Sequence, residues 1–237
     1  FAYDGRPILD AIDFDIPAGK TVAIVGPTGS GKSTVAALLA RECRPVSGRI
    51  LLDGQDIQAY PLKAVRSALG YVPQDTFLFS ASIRDNLCFG RPDATRELMD
   101  AACDAAQFTE TVRQLPQGYD TLLGERGVNL SGGQKQRLAI ARAVIRDPRI
   151  FILDDALSSV DTHTEEAILQ GLKRVMATRT SLVISHRIST IRHADLILVI
   201  NEGRIVERGT HGELVSRGGL YARMYEHQLL EEDLEKA

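Results

Sequence analysis

A glycine-rich stretch near the N-terminus constrains the fold of this chain more than any other part of the sequence. The stretch reads GPTGSGKS over residues 26–33 and matches the pattern G-x-x-x-x-G-K-[ST]. A short apolar, β-branched run at residues 21–25 precedes it, and a helical stretch from Lys32 to about Arg41 follows it. A strand, a glycine-rich turn and a helix in this order predict an α/β fold that presents backbone N–H groups and a helix N-terminus to an anion.

Phosphate is the anion that these residue types suit. Glycine lets the backbone approach phosphates closely, and Lys32 is predicted to reach the β- and γ-phosphates of ATP. Ser33 is predicted to hold Mg²⁺ and Thr34 to contact the α-phosphate. The residues predicted to contact ATP are Gly26, Pro27, Thr28, Gly29, Ser30, Gly31, Lys32, Ser33 and Thr34.

A second ligand for the metal is predicted at the end of a later strand. Residues 150–153 read IFIL, an apolar run typical of a buried strand, and Asp154 follows them. ATPases with this phosphate loop hold their metal with an Asp that ends such a strand. We therefore predict that Asp154 lies beside the phosphate loop and binds Mg²⁺.

Composition narrows the class of protein. The chain has 237 residues with 44% apolar and 25% charged residues, which predicts a packed globular fold. Its net charge is -3 and no polybasic run is present, which weighs against a nucleic-acid surface. The three cysteines, Cys43, Cys88 and Cys103, are far apart in sequence and are interpreted as structural thiols of a reducing compartment. No apolar run reaches the ~18 residues of a membrane helix.

The order of elements predicts one domain, residues 1–237, with an insertion. The N-terminal stretch alternates apolar and polar residues and predicts an antiparallel β subdomain. From about residue 75 to 147 helical patterns dominate, which predicts an inserted α-helical lobe in a core made of residues 1–74 and 148–237. Within the lobe, Ser131 is predicted to cap a helix.

Further motifs stand in a recognisable order. LSGGQ occupies residues 130–134, Gln74 lies in YVPQD, SSVD occupies residues 158–161, and His186 ends a strand-like run. Together with the phosphate loop they resemble the nucleotide-binding domain of ABC transporters over the whole chain. GERG at residues 124–127 resembles the exporter branch of that family, as does FSASIRDNL shortly after Gln74. Exporters of this kind usually join a membrane domain and this ATPase in one polypeptide, so the chain, which begins at Phe1, is interpreted as the ATPase piece, without the membrane domain.

The resemblance implies a fold and several roles. The fold is a P-loop NTPase of ABC type, with a mixed-sheet core, an antiparallel β subdomain and the helical lobe. Tyr3 would stack on adenine, Gln74 would touch Mg²⁺ or the attacking water, and His186 would contact the γ-phosphate. The signature would contact the ATP bound by a second such domain, with Asp161 at the same seam. The implied residues of that contact in trans are Ser131, Gly132, Gly133, Gln134 and Asp161.

The implied protein is an ATP-hydrolysing translocase. It would work with a second nucleotide-binding domain and a transmembrane domain, at the cytoplasmic face of the cell (inner) membrane. ATP binding would close the pair of domains and hydrolysis would reopen it. A soluble ABC ATPase that acts on DNA or ribosomes is the alternative class, but the long coiled-coil insertion and the tandem domain typical of such proteins are not in this sequence.

One position departs from the family pattern. The residue after Asp154 is usually a Glu that acts as general base or positions the water, whereas here it is Asp155. Its carboxylate is shorter by one methylene, and a misplacement of roughly 1 Å can lower a rate about 10²-fold. We favour the hypothesis that this chain is the slow half of a heterodimeric exporter and that its intact signature completes a competent site on its partner. A homodimer in which Asp155 suffices is the alternative, and the retained His186 keeps it open.

Overall fold

The computed structural model describes residues 1–127 and 129–235 of the chain. Its strands are β1 Ala2–Tyr3, β2 Arg6–Pro7, β3 Thr21–Val25, β4 Leu51–Leu52, β5 Gln55–Asp56, β6 Leu69–Val72, β7 Ile150–Asp154, β8 Thr180–Ile184, β9 Leu196–Asn201 and β10 Arg204–Gly209. Its α-helices are α1 Lys32–Leu39, α2 Leu62–Ala68, α3 Ile83–Cys88, α4 Arg96–Ala105, α5 Thr109–Gln114, α6 Gly132–Val144, α7 Thr162–Met176, α8 Ile188–Ile191, α9 His211–Ser216 and α10 Leu220–Glu235. None of the described helices has both the length and the apolar character needed to cross a bilayer.

Two-residue turns ending in glycine join the antiparallel pairs. The turn of β4 and β5 is Asp53-Gly54, with φ of 50° and 80°, and the turn of β9 and β10 is Glu202-Gly203, with φ of 47° and 75°. Positive φ at both central residues is the geometry whose twist matches that of the flanking strands.

The chain divides into two compact units. The first holds residues 1–69 and the chain from residue 180 onward, and the second holds residues 70–179. The first unit contains the sheet neighbours β10, β9, β3 and β8, in that order. β3 pairs in parallel with both β8 and β9, while β10 runs antiparallel to β9 at the edge. With a parallel neighbour on each side, β3 is the buried centre of this unit, and Val22, Ala23, Ile24 and Val25 are each 0% exposed.

The second unit is mostly helical. Helices α3, α4 and α7 pack with one another or on α6, and β6 and β7 lie side by side. The fully buried side chains include Leu87, Cys103, Leu138, Ile140, Ile168 and Leu172. Gly171 of α7 sits so close to α4 that an added Cβ would lie 2.4 Å from the carbonyl oxygen of Ala105. The helical character predicted for this part of the chain is confirmed. Neither β6 nor the helix α2, which belongs to the first unit, was predicted.

Candidate functional site

The loop of residues 26–31 leaves the carboxyl end of β3 and leads directly into α1. Thr34 N–H donates to the carbonyl of Gly31 at 3.1 Å, and Ser30 N–H donates to that of Pro27 at 3.2 Å. The helix begins at Lys32 with Gly31 in its N-cap position, where φ is 100°. Only glycine adopts such a φ at little cost, so the entry into α1 depends on this residue type.

Two glycines of the loop are also required by close packing. A Cβ at Gly26 would lie 1.9 Å from the carbonyl oxygen of Ile200, and a Cβ at Gly31 would lie 2.6 Å from Cδ2 of Leu9. Real Cβ atoms do not approach other atoms that closely. Both glycines also have positive φ, 157° at Gly26 and 100° at Gly31, so a side chain at either position would disturb the loop.

The polar groups of the loop fit a bound phosphate. Lys32 Nζ donates to the carbonyls of Gly26 and Pro27 at 2.8 and 2.9 Å, which holds a positive charge over the loop. Ser30 is only 5% exposed, and its Oγ has no hydrogen-bond partner among the described residues. An orphaned buried hydroxyl is costly unless a ligand completes it. Together with the start of α1, these groups suit the phosphates of a nucleotide.

Two other predicted residues of the first unit are exposed. The Tyr3 side chain belongs to β1, is 55% exposed and meets the ring of Phe1 edge to face, with centroids 4.7 Å apart. An exposed aromatic face of this kind can stack on a base. His186 is exposed in the turn between β8 and α8. Its carbonyl accepts a hydrogen bond from Nε2 of Gln228 on α10.

Asp154 ends β7 in the second unit and is 2% exposed. The hydroxyl of Tyr71, on the neighbouring β6, lies 3.4 Å from Asp154 Oδ2. A carboxylate this deeply buried needs such partners or a cation. Among residues 1–127 and 129–235, no group of three or more His, Cys, Asp or Glu side chains could hold a metal on its own. Mg²⁺ that is also bound by substrate phosphates needs only one or two protein carboxylates, so Asp154 suits that kind of site.

Asp155 has a left-handed backbone conformation, with φ of 49°. Its carbonyl accepts a hydrogen bond from Ser158 N–H at 3.2 Å, which closes a turn directly after β7. Asp and Asn adopt this region more readily than residues with longer side chains. The left-handed backbone is thus compatible with the Asp found here. The strained backbone conformation occurs at a predicted catalytic residue.

The LSGGQ motif forms the start of α6 and caps that helix. Ser131 Oγ accepts from Gln134 N–H at 3.3 Å, and Gln134 Oε1 accepts from Ser131 N–H at 2.9 Å. This reciprocal arrangement is a capping box. It confirms that Ser131 is an N-cap, and it leaves Ser131 and Gly132 exposed. An exposed helix start can bind an anion through its amides and dipole.

The start of α6 is joined to the SSVD segment by a buried glutamine. Gln136 is 3% exposed; its Nε2 donates to Ser158 Oγ at 3.0 Å and its Oε1 accepts from Ser159 N–H at 2.9 Å. A Cβ at Gly133 would lie 3.0 Å from the Ser159 carbonyl oxygen, so glycine permits the close approach. The signature helix and the segment after Asp155 are therefore fastened to each other within this unit.

The remaining predicted residues lie at element ends. Asp161 caps α7, where its Oδ1 accepts from Thr164 N–H at 2.9 Å, and its side chain is exposed. Gln74 is exposed two residues beyond the end of β6. Asp161 follows directly on the segment that Gln136 bonds to α6. Gln74 follows β6, the strand that carries Tyr71.

Two residues of interest were missed at the level of sequence. Gln136 lies on the apolar face of α6, four residues before the fully buried Ile140, so a polar residue on a buried helical face was the available signal. Gln228 contacts residues 40 and 42 positions away, Ile188 and His186. No local pattern announces such a contact.

Comparison with known proteins gives one matching family model, "ABC transporter", which covers residues 9–158. The "Uncharacterized ABC transporter ATP-binding protein YknU" of Bacillus subtilis is 52% identical over 92% of this chain and 37% of its own length. The "ATM1-type heavy metal exporter" of Novosphingobium aromaticivorans is 49% identical over 98% of this chain and 38% of its own length. The "ATP-dependent lipid A-core flippase" of Chromohalobacter salexigens is 48% identical over 231 residues, 98% of this chain and 40% of its own length.

The fold also matches a solved structure, described as a bacterial Atm1-family ABC exporter with ATP bound. The TM-score is 0.93 at 49% sequence identity, over 96% of this chain and 40% of the other. The chain thus spans about two fifths of the length of these four proteins.

Proposed function

The chain belongs to the ABC transporter family, and we propose that it is the ATP-driven motor of an exporter. The predicted fold class is confirmed: an α/β P-loop NTPase of ABC type, with a mixed sheet, antiparallel β strands and a helical lobe. The predicted identity as an ATP-binding, ATP-hydrolysing domain is confirmed with it. Export is supported by the names of two relatives, a heavy metal exporter and a lipid A-core flippase. Because these two move different substances, we propose no particular substrate.

The phosphate loop carries the proposal. Its glycine-enforced curvature, the Lys32 ammonium over its carbonyls and the orphaned Ser30 hydroxyl form one continuous cradle for phosphates. When ATP binds, the Lys32 ammonium leaves the loop carbonyls and contacts oxygens of the β- and γ-phosphates. The N-terminal amides of α1 point at the same phosphates. Tyr3 stacks on the adenine ring.

Hydrolysis is an in-line attack of water on the γ-phosphate. Asp155 accepts the proton of that water or orients it, Gln74 contacts it, and His186 stabilises the γ-phosphate as it leaves. Asp154, Ser33 and Gln74 are the residues that would hold Mg²⁺. The metal, when bound, neutralises phosphate charge and fixes the geometry of the phosphates. The side chains of this chain supply the proton transfer and the positioning.

The exposed start of α6 serves the ATP of a second nucleotide-binding domain. Ser131, Gly132, Gly133 and Gln134 present amides and a helix dipole, and Asp161 lies at the same seam. Closure of the two domains on ATP, followed by reopening after hydrolysis, moves a transmembrane domain through the Gln74 region. We place this assembly at the cytoplasmic face of the cell (inner) membrane.

We favour a heterodimer over a homodimer. The short carboxylate of Asp155 weakens the chain's own site, whereas its capped and exposed signature is intact. Such a chain hydrolyses ATP slowly at its own site but still completes the ATP site of its partner. Gln136 bonds α6 to the segment after Asp155. This contact allows the chain's own ATP site and the site that its signature completes on the partner to influence each other.

Nucleotide binding tests the first part of the proposal. Lys32→Met is expected to weaken the binding of a fluorescent ATP analogue about 10- to 100-fold, since a charged hydrogen bond contributes about 1.5–3 kcal/mol. Lys20→Met is the matched control, because Lys20 is a surface lysine whose side chain is 55% exposed and paired with Asp195. Equal affinity of Lys32→Met and the unaltered protein would contradict the assignment of the loop.

The export part is tested on the full-length assembly. Membrane-spanning helices are expected in the same polypeptide or in a subunit that purifies with it, and ATP hydrolysis is expected to respond to reconstitution in a bilayer. An active assembly with no membrane-spanning helix in any subunit excludes export and leaves the soluble alternative.

A further inference from the structure

The turn between β8 and α8 carries His186. β8 ends at Ile184, after which Ser185 N–H still donates to the carbonyl of Ile24 on β3, at 3.2 Å. Arg187 N–H then donates to Ser185 Oγ at 3.0 Å. Helix α8 starts at Ile188, and no side chain of its N-cap residue accepts a bond there. The first amide of a helix has no partner within the helix, so it must find one elsewhere.

A side chain from the C-terminal helix supplies that partner. Gln228 Oε1 accepts from Ile188 N–H at 2.8 Å, and Gln228 Nε2 donates to the carbonyl of His186. One primary amide therefore bridges the backbone on both sides of Arg187. A group with an acceptor and a donor side by side can make both bonds, and the neutral amides of Asn and Gln have this arrangement, whereas an ionised carboxylate has acceptors only.

The position of Gln228 is fixed by the packing of α10. Tyr221 lies seven residues earlier, on the same face of the helix, and is 0% exposed. Its hydroxyl lies 2.8 Å from Nδ1 of His211 at the start of α9. Beyond Gln228 the described side chains Leu229 and Leu230 are exposed. The anchored part of α10 thus ends at the residue that holds the His186 turn.

We propose that Gln228 is a positioning residue for His186 in ATP hydrolysis. The inference rests on the proposed function, in which His186 contacts the γ-phosphate. The amide of Gln228 fixes the backbone that carries the imidazole, so α10 sets where the imidazole meets the phosphate. Release of the amide leaves ATP binding at the phosphate loop intact and lowers the rate of the chemical step.

Three substitutions separate the two hydrogen bonds. Gln228→Met keeps the length of the side chain and removes both bonds. Gln228→Glu keeps an acceptor for Ile188 N–H but turns a carboxylate oxygen toward the carbonyl of His186, so it is expected to be at least as harmful. His227→Gln is the matched control, since the neighbouring His227 side chain is 73% exposed and pairs with Glu231.

Steady-state hydrolysis of MgATP by the full-length assembly is the main test, with any second, different ATP site inactivated by substitution of its phosphate-loop lysine so that kcat reports the site of His186. Gln228→Met is expected to lower kcat about tenfold and to leave KM for ATP within about twofold, below the roughly 10²-fold that a misplacement of about 1 Å can cause. The same substitution in a His186→Ala protein is expected to have no further effect. A defect of folding would lower kcat by the same factor in both backgrounds, so the double-mutant cycle isolates positioning.

The cycle is measured in the unaltered sequence and again with Asp155→Glu, so that a slow parent site still gives measurable rates. Hydrogen exchange at the Ile188 amide provides a second readout that needs no nucleotide, and it is expected to quicken in Gln228→Met but not in His227→Gln. An unchanged kcat in Gln228→Met, or an equal loss in the His186→Ala background, overturns the inference. Failure of the parent protein to bind ATP overturns the proposed function instead, while the exchange at Ile188 still reports the contact.

Discussion

The side-chain length of Asp155 is expected to limit the rate of ATP hydrolysis. Asp155→Glu adds one methylene and advances the carboxylate by roughly 1 Å. Because a misplacement of that size can lower a rate about 10²-fold, the substitution is expected to raise kcat about 10- to 100-fold. ATP binding depends on the phosphate loop, so KM for ATP is expected to change by less than about twofold.

The backbone sets a small opposing effect. At a φ of 49°, Glu is accommodated less well than Asp, and the cost to the free energy of unfolding is expected to be about 1 kcal/mol or less. The melting temperature measured with and without MgATP monitors this loss. A gain in kcat of the expected size is far larger than any change in the folded fraction that such a loss could cause.

The assay is phosphate release by the full-length assembly over a titration of MgATP. Where the second ATP site is different from this one, that site is first inactivated by substitution of its phosphate-loop lysine, so that kcat reports the site of Asp155 alone. Asp155→Asn is the matched control. Asn has the size of Asp and suits the same left-handed backbone, but it cannot accept a proton. If this chain is the slow half of a heterodimer, Asp155→Asn changes an already slow site little. If it is a competent homodimer, Asp155→Asn lowers kcat by about 10²-fold or more, the usual contribution of a general base.

One result would refute the reasoning about side-chain length. If Asp155→Glu leaves kcat within about twofold of the unaltered protein, while melting temperature and ATP affinity are preserved, the missing methylene does not limit hydrolysis. A fast unaltered protein combined with a large loss in Asp155→Asn assigns full catalytic competence to Asp155.

Three further predictions concern packing and titration. Gln136→Leu is expected to destabilise the protein by about 1–3 kcal/mol, because Ser159 N–H and Ser158 Oγ lose their bonds to a side chain that is only 3% exposed, and denaturant unfolding measures the loss. Gly171→Ala is expected to lower stability by about 1–3 kcal/mol, since its Cβ would lie 2.4 Å from the Ala105 carbonyl oxygen; an unchanged midpoint would show that α4 and α7 separate easily. Burial raises the pKa of the Cys103 thiol to about 11, so the free energy of unfolding is expected to fall as the pH rises from the unfolded pKa of this thiol toward 11. Below that pH range, mass spectrometry is expected to find Cys103 unalkylated in the folded protein and alkylated after denaturation.

Many of the candidate site residues could be predicted from the sequence because their contacts are between residues close together in the chain. The phosphate loop needs glycine at Gly26 and Gly31 for curvature and Lys32 for charge, and these residues are adjacent in the chain. The capping box of Ser131 and Gln134 is likewise a contact over three residues. Such short-range requirements leave a fixed spacing in the sequence, which is why the motif positions and the cap could be predicted.

The roles of the individual site residues stay predictions, as do the boundaries of the helical lobe near residues 75 and 147. So does the choice between the two kinds of dimer, because a second chain completes the site in the proposal. Asp155 shows why the sequence stops short here. It reveals a shorter carboxylate, but its rate depends on distances to a water and a phosphate.

The sequence by itself determined the glycine-rich loop, the order of its motifs and the departure at Asp155. Tertiary structure alone decided that Asp155 has a left-handed backbone, that Gln136 fastens the signature helix to Ser158, and that Gln228 holds the turn of His186. The physical reason is the range of the interactions. A loop or a cap is satisfied by its neighbours in the chain, whereas the side-chain amide of Gln228 bonds to the backbone groups that the packing brings to it, 40 and 42 residues away.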